Sequence, residues 1–322
     1  MHPDFLAIAL GFAAGVAIFL IGAGMLADAL KALAGDRMKR VIAACTANRL
    51  CAVLTGAVAT AALDSSSAVV IIIVGLVHAK AMDLRQAVGV VMGANIGTTV
   101  SSQIYALDVV KYGPVLLLIG LPLHMLGGEK WKYVGGVLLG LGLVFFAMTH
   151  LEDVTKPLRD HEPFREFMKN MENPLLGVIA GAVVTAAIQS SSATMGILIV
   201  MVGQGAITMP TAIAMMLGAE IGTCLDVLIS TAGRSREAVR VGVFQVAFNV
   251  TSVALFVGFA GPLADLAGRI AGDDPKRQLA TAHVLFNVAS VGVFVGLAGY
   301  IARGLEWAIP GGGEKTAEAT PA

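Results

Sequence analysis

Thr60-Ala61-Ala62-Leu63-Asp64-Ser65-Ser66-Ser67-Ala68 returns later in the chain as Thr185-Ala186-Ala187-Ile188-Gln189-Ser190-Ser191-Ser192-Ala193, a shift of 125 residues. The same shift lays Gly93-Ala94-Asn95-Ile96-Gly97-Thr98 on Gly218-Ala219-Glu220-Ile221-Gly222-Thr223 without a gap. Upstream it pairs Gly56-Ala57-Val58 with Gly181-Ala182-Val183, and Asn48 with Asn173. Self-similarity this dense marks two copies of one unit. Beyond them lies a weaker pair, Gln245-Val246-Ala247-Phe248-Asn249 and His283-Val284-Leu285-Phe286-Asn287.

The surroundings of these motifs are apolar. Of 322 residues, 57% are hydrophobic and 14% charged, well below the roughly 25% charged of a soluble domain. Charge-free runs extend from Phe5 to Ala27, Gln86 to Leu107, Tyr133 to Leu151, Asn173 to Ala219, Val241 to Ala264 and Leu279 to Ala302. About 20 such residues cross a bilayer as a helix, so the class is a multi-pass membrane protein of helices. The 22 basic and 22 acidic residues cancel, which removes the electrostatic case for binding nucleic acid. Three cysteines, Cys45, Cys51 and Cys224, show no metal-ligand spacing. Nor does a phosphate-binding P-loop or a Ser/His/Asp set accompany the serines, so the expectation is a non-enzyme without a cofactor.

The run from Asn173 to Ala219 has 47 residues, roughly 70 Å as one helix at about 1.5 Å per residue. A hydrocarbon core of about 30 Å forces a break, and the candidates are Gln189-Ser190-Ser191-Ser192 and the segment from Gly203-Gln204-Gly205 to Pro210. In the first copy Asp64 divides two short apolar pieces in the same way. Irregular backbone at membrane depth survives only where protein or a water-filled cavity covers it. The serines are placed to cap the next half-helix, leaving its first N–H groups pointing into the break as an anion site. The carbonyls that end the preceding half-helix, together with Ser or Thr oxygens, suit a hard cation such as Na⁺. The Gly-Ala motif is read as a tight non-helical turn with further polar groups.

An isolated Ser or Thr in a membrane helix ordinarily serves packing, but two three-serine runs at one fixed offset point to function. Gly135-Gly136 and Gly140-Leu141-Gly142 read as helix-packing surface, and Trp131, Tyr133 and Trp307 as interface anchors. Gln245, Asn249, His283 and Asn287 are polar groups in apolar runs, open between interhelical hydrogen bonding and a pathway lining.

The expected architecture is therefore an all-α, polytopic membrane protein of two repeats with broken or re-entrant helices. Its divisions are a retained first membrane helix (1–25), repeat 1 (26–110), connecting membrane helices (111–150), repeat 2 (151–235), C-terminal membrane helices (236–309) and a disordered tail (310–322). Lys31 to Arg49 holds five Lys/Arg and one acid, Lys156 to Pro174 four and four. That difference leans towards inverted copies, with Lys31 to Arg49 in the cytoplasm. Duplicated units of this kind build secondary transporters, with the substrate where the copies meet.

At the paired motifs the sequence resembles the bacterial sodium/phosphate cotransporter family, relatives of the type II sodium-dependent phosphate transporters. The duplicated Gln-Ser-Ser-Ser and Gly-Ala-Asn-Ile-Gly-Thr carry the resemblance, which runs from about Phe19 to Arg303, and the Phe-Asn pair at Gln245 and His283 adds to it. It implies Na⁺-coupled movement of inorganic phosphate by alternating access in the cell inner membrane. Substrate would lie around Ser65, Ser66, Ser67, Gln189, Ser190, Ser191, Ser192, Asn95, Thr98 and Thr223. Na⁺, the coupling ion, would lie near Asp64, Ser65, Gln189, Ser190 and Glu220. Oligomeric state stays open, a homodimer being one arrangement.

Two positions depart from the family: Asp64 stands where it has Gln, and Glu220 where it has Asn. An ionised carboxylate repels phosphate strongly at low dielectric, so both are read as ion-coupling residues for Na⁺ or H⁺. The alternatives are a transporter of another substrate driven through these two acids, and a passive channel or phosphate sensor.

Overall fold

A computed structural model describes residues 5–46 and 48–310 of the chain. The expected disordered tail falls, beyond Pro310, outside the described residues. Among those residues the elements are helices, with no strand. α1 (Phe5–Ala44) is followed by α2 (Arg49–Leu63), α3 (Ser66–His78), α4 (Leu84–Tyr105), α5 (Gly113–Leu126) and α6 (Glu129–Thr155). α7 (Glu162–Asn170) leads into α8 (Pro174–Ile188), α9 (Ser191–Gly203), α10 (Met209–Gly222) and α11 (Cys224–Ser230). α12 (Arg236–Phe256), α13 (Ala260–Ala271), α14 (Pro275–Val295) and α15 (Ala298–Ala308) complete the chain.

Among the described residues six helical segments are long and apolar enough to cross a membrane, or seven with the bent pair α7 and α8, which meet at 102°. The first runs past residue 25 to Gly35, whose positive φ of 54° kinks α1. Leu54, Val58, Leu118, Leu126, Ile179 and Val183 are exposed, as a lipid-facing surface requires. Trp131, at the start of α6, and Trp307, at the end of α15, are exposed as well.

The bounds of α2 and α3 coincide with those of α8 and α9 when shifted by 125 residues, and α4 covers the positions of α10 plus α11. The same local causes act in both stretches. Asn48 caps α2 by accepting from the Cys51 N–H at 2.9 Å, and Asn173 caps α8 from the Leu175 N–H at 3.0 Å. Each of these helices stops after 15 residues, about 22 Å, short of a 30 Å hydrocarbon core.

The Gly-Ala motif is not the non-helical turn expected from its glycines. Gly93 and Gly97 lie inside α4, and Gly218 and Gly222 inside α10. Their absent side chains serve close helix contact instead. A Cβ on Gly93 would stand 1.9 Å from the Val53 carbonyl oxygen, and one on Gly218 2.0 Å from that of Val178. The four-residue spacing is the small-xxx-small packing pattern of membrane helices. Gly140 serves α1 and α6 likewise, with a Cβ there 2.5 Å from the Leu26 nitrogen.

Two apolar cores result. One joins α2, α3 and α4, through residues such as Val70, Ile73 and Val91, to Phe244 and Phe248 of α12. The other joins α9 and α10 to α1 and α6 and to Phe286 of α14. α12 and α14 each serve both cores, since Val253 belongs to the second and Val291 to the first. Between their contributions to the two cores these helices carry polar side chains.

Candidate functional site

Both serine motifs break their helices in one way. Asp64 (φ 50°, ψ 31°) and Gln189 (φ 57°, ψ 29°) are left-handed, which costs a non-glycine residue about 1–3 kcal/mol and is typical of functional sites. The next residue restarts a helix. Ser65 accepts from the Ala68 N–H at 3.2 Å and Ser190 from the Ala193 N–H at 3.2 Å. Ser66 and Ser67 then open α3, as Ser191 and Ser192 open α9, in the turn whose N–H groups have no intrahelical partner.

These two helix starts face one small cavity of about 60 Å³, lined by Asp64, Ser65–Ser67, Thr98, Gln189, Ser190–Ser192 and Thr223. At about 10–15 Å³ per enclosed water, it has room for a few waters or one small oxyanion. Its wall holds ten side chains, of which Asp64 is the one formal charge and none is basic. What this wall could offer an anion is hydroxyls, N–H groups and the positive ends of two helix dipoles. The Asp64 carboxylate accepts from the Ser101 hydroxyl on α4.

Asn95 and Glu220 are placed elsewhere. They sit one turn before the cavity residues Thr98 and Thr223, in a seam against α12 and α14 where Gln245, Asn249, His283 and Asn287 are all buried. Asn95 donates to Asn249 at 2.7 Å, and Gln245 donates to Asn95 at 3.3 Å. The Glu220 carboxylate bonds His283 Nε2 at 2.8 Å and accepts from Asn287 at 3.0 Å. His283 Nδ1 meets the Ser102 hydroxyl at 2.8 Å, and Asn249 donates to the Glu220 carbonyl at 2.6 Å. Of the five residues expected near Na⁺, the structure thus gathers Asp64, Ser65, Gln189 and Ser190 and sets Glu220 apart.

Ser101 and Ser102 were not singled out from the sequence. Their signal was present: they fall three and four residues after Thr98 in a charge-free run, on the helix face that Thr98 presents. Among the described residues no cluster of three or more His, Cys, Asp or Glu could hold a metal. A cation in the cavity would therefore rely on hydroxyl and carbonyl oxygens beside Asp64.

Broken half-helices that aim two N-termini into one polar cavity, within a multi-pass helical bundle, define a membrane transporter fold. The comparisons agree with that class. Residues 18–153 and 160–298 match the family model described as Na⁺/Pi-cotransporter, and the chain belongs to that family, a transporter family and not an enzyme family. Among relatives, "Uncharacterized protein YqeW" of Bacillus subtilis is 29% identical over 276 residues, covering 85% of this chain and 89% of its own. "Putative inorganic phosphate export protein YjbB" of Escherichia coli is 24% identical over 259 residues, 80% of this chain and 48% of that protein. The chain thus spans about half the length of YjbB. "Sodium-dependent phosphate transport protein 2B" of Homo sapiens is 33% identical over 97 residues, 29% of this chain and 14% of that one. No solved structure matches.

Proposed function

We propose that the protein moves inorganic phosphate across the cell inner membrane, coupled to Na⁺, by alternating access around the serine cavity. The observation that carries this is the convergence of both serine-started helices on one partly open cavity of about 60 Å³ without a basic side chain. Such a site favours a small hydrogen-bonding anion whose charge is met by N–H groups and dipoles. Na⁺ is assigned to Asp64, Ser65, Gln189 and Ser190, and Glu220 is left out of that set because His283 and Asn287 occupy its carboxylate. Two copies related by inversion would let the cavity open to either side by rocking one against the other. Coupling has an electrical reason. Each charge moved across 100 mV is worth about 2.3 kcal/mol, so importing a dianion against an inside-negative potential costs roughly twice that without accompanying cations.

Asp64 in the cavity wall favours a second reading, a substrate other than phosphate, since an unscreened carboxylate repels an oxyanion. The deciding measurement is labelled-phosphate flux in proteoliposomes, in both directions, with and without a Na⁺ gradient, for the native chain and Asp64→Gln. Gradient-driven phosphate flux by the native chain supports the first reading. Flux that ignores Na⁺ refutes the coupling, and flux by Asp64→Gln alone assigns the native site to another substrate.

A further inference from the structure

The seam behind the cavity contains two hydrogen-bonded sets built to one plan. In one, Asn95 lies between Gln245 and Asn249 of α12. In the other, Glu220 lies between His283 and Asn287 of α14. Glu220 holds the place of Asn95 at the shift of 125, and His283 and Asn287 hold the places of Gln245 and Asn249 in the Phe-Asn pair. One set is thus all amide, while the other has an acid and an imidazole substituted together. Glu220 is 6% exposed and His283 2%. The acid-base set also reaches the cavity by two routes. Ser102, bonded to His283, adjoins Ser101, bonded to Asp64 in the cavity wall. Thr223, another wall residue, donates its hydroxyl to the Glu220 carbonyl at 2.8 Å.

We propose that the Glu220–His283 pair is a proton-binding site that takes up a proton when an anion occupies the cavity, making H⁺ a co-substrate of the phosphate transport put forward above. The inference rests on that reading of the cavity. With one proton between them, imidazole and carboxylate have no net charge. A second proton, drawn from water on the side to which the cavity opens, leaves imidazolium beside carboxylic acid with a net charge of +1. An O–H bond of a hydronium ion breaks as the N–H or O–H bond of the pair forms, and the reverse transfer to water releases the proton when the anion leaves on the far side. An anion in the cavity, whose wall residue Thr223 bonds the Glu220 carbonyl, attracts the +1 state, so the two ligands enter together. Linkage makes this reciprocal: protons favour anion binding as the anion favours protons.

Other titratable groups around the pair have other engagements or lie on other turns. α8 and α9 contain none. α4 contributes Tyr105, three residues past Ser102, and Arg85 in its first turn. α11 contributes Cys224, whose thiol faces the Glu220 carbonyl at 3.6 Å, and Asp226. On α12 Arg240 is bonded to the Ile309 carbonyl and paired with Glu237, and Arg236 is bonded to the Pro310 carbonyl. α13 contributes Asp265 and Arg269. On α14 Lys276 pairs with Glu152, and Arg277 lies six residues before His283. No Lys, Arg or second carboxylate bonds the pair among the described residues.

The test uses the full chain and the double variant Glu220→Asn/His283→Gln, which rebuilds in the second set the amides that the first already uses. Inorganic phosphate is titrated calorimetrically at fixed pH and Na⁺ in two buffers of different ionisation enthalpy, which counts protons taken up per phosphate bound. Phosphate's own ionisation contributes equally to both proteins. The native chain is expected to take up close to one more proton than the variant, and the variant to bind phosphate about tenfold more weakly at acidic pH. Equal proton counts overturn the proposal. Absence of phosphate binding by the native chain overturns the phosphate reading itself, a distinguishable failure. Where the variant does not fold, native proteoliposomes decide: phosphate accumulation under an imposed pH gradient without a Na⁺ gradient is expected, and its absence overturns the proposal.

Discussion

Gly93→Ala adds one methyl group at the tightest contact between α4 and α2. Built on the present backbone, the new Cβ stands 1.9 Å from the Val53 carbonyl oxygen, with the Val53 carbonyl carbon at 2.7 Å. A carbon–oxygen contact needs roughly 3.3 Å, so the helices must part by about 1.4 Å at this point. Neither obstructing atom belongs to a side chain that can swing away. Overpacking of this kind costs about 1–3 kcal/mol, and a clash with backbone belongs at the upper end. The displacement also reaches the site, because Thr98 lies five residues further along α4 and forms part of the cavity wall. Gly24→Ala in α1 is the control. Nothing lies within 4 Å of its added Cβ, and helix propensity favours Ala over Gly by up to about 1 kcal/mol. Thermal unfolding of the detergent-purified variants, followed by size-exclusion chromatography, should show Gly93→Ala less stable than native and Gly24→Ala equal or better. Phosphate binding should fail in the first only. Equal melting and binding for both variants would refute the close-contact role of the motif glycines.

Gly218→Ala, with its Cβ 2.0 Å from the Val178 carbonyl oxygen, should repeat the loss in the second stretch by the same assays. Ser190→Ala removes a helix cap worth about 1 kcal/mol and one cavity hydroxyl, so phosphate affinity measured by titration should fall several-fold while the chain stays folded. Asp64→Ala removes the Ser101 partner and the cavity carboxylate; phosphate affinity should then be the same in sodium and choline salts. Arg240→Ala removes two hydrogen bonds to the Ile309 carbonyl, at 2.9 and 2.7 Å, each of the charge-assisted kind worth about 1.5–3 kcal/mol. Hydrogen exchange should speed up across α15 and leave α9 unchanged.

The broken helices were legible in the sequence because hydrophobic length is a one-dimensional quantity. A run of 47 uncharged residues does not fit a bilayer unbroken, and its interruptions at Gln189-Ser190-Ser191-Ser192 and at Gly203-Gln204-Gly205 to Pro210 mark where α8 and α9 end. The caps were legible too, since Ser65 and Ser190 bond groups three residues away. The Gly-Ala motif was misread because glycine permits both a turn and a close helix contact. Its residues at a spacing of four favoured the contact, and only the neighbouring helix settles which use is made.

By itself the sequence determined the multi-pass helical class, the paired motifs and the polar residues at the helix breaks. Tertiary structure decided how those residues are shared out. Asn95 and Glu220 occupy matching places in motifs that look alike along the chain, yet both turn away from the cavity to α12 and α14. The partners responsible, Asn249 and His283, lie 154 and 63 residues distant. Local spacing dictates which face of a helix a side chain takes, but the helix packed against that face is chosen by the burial of two whole cores.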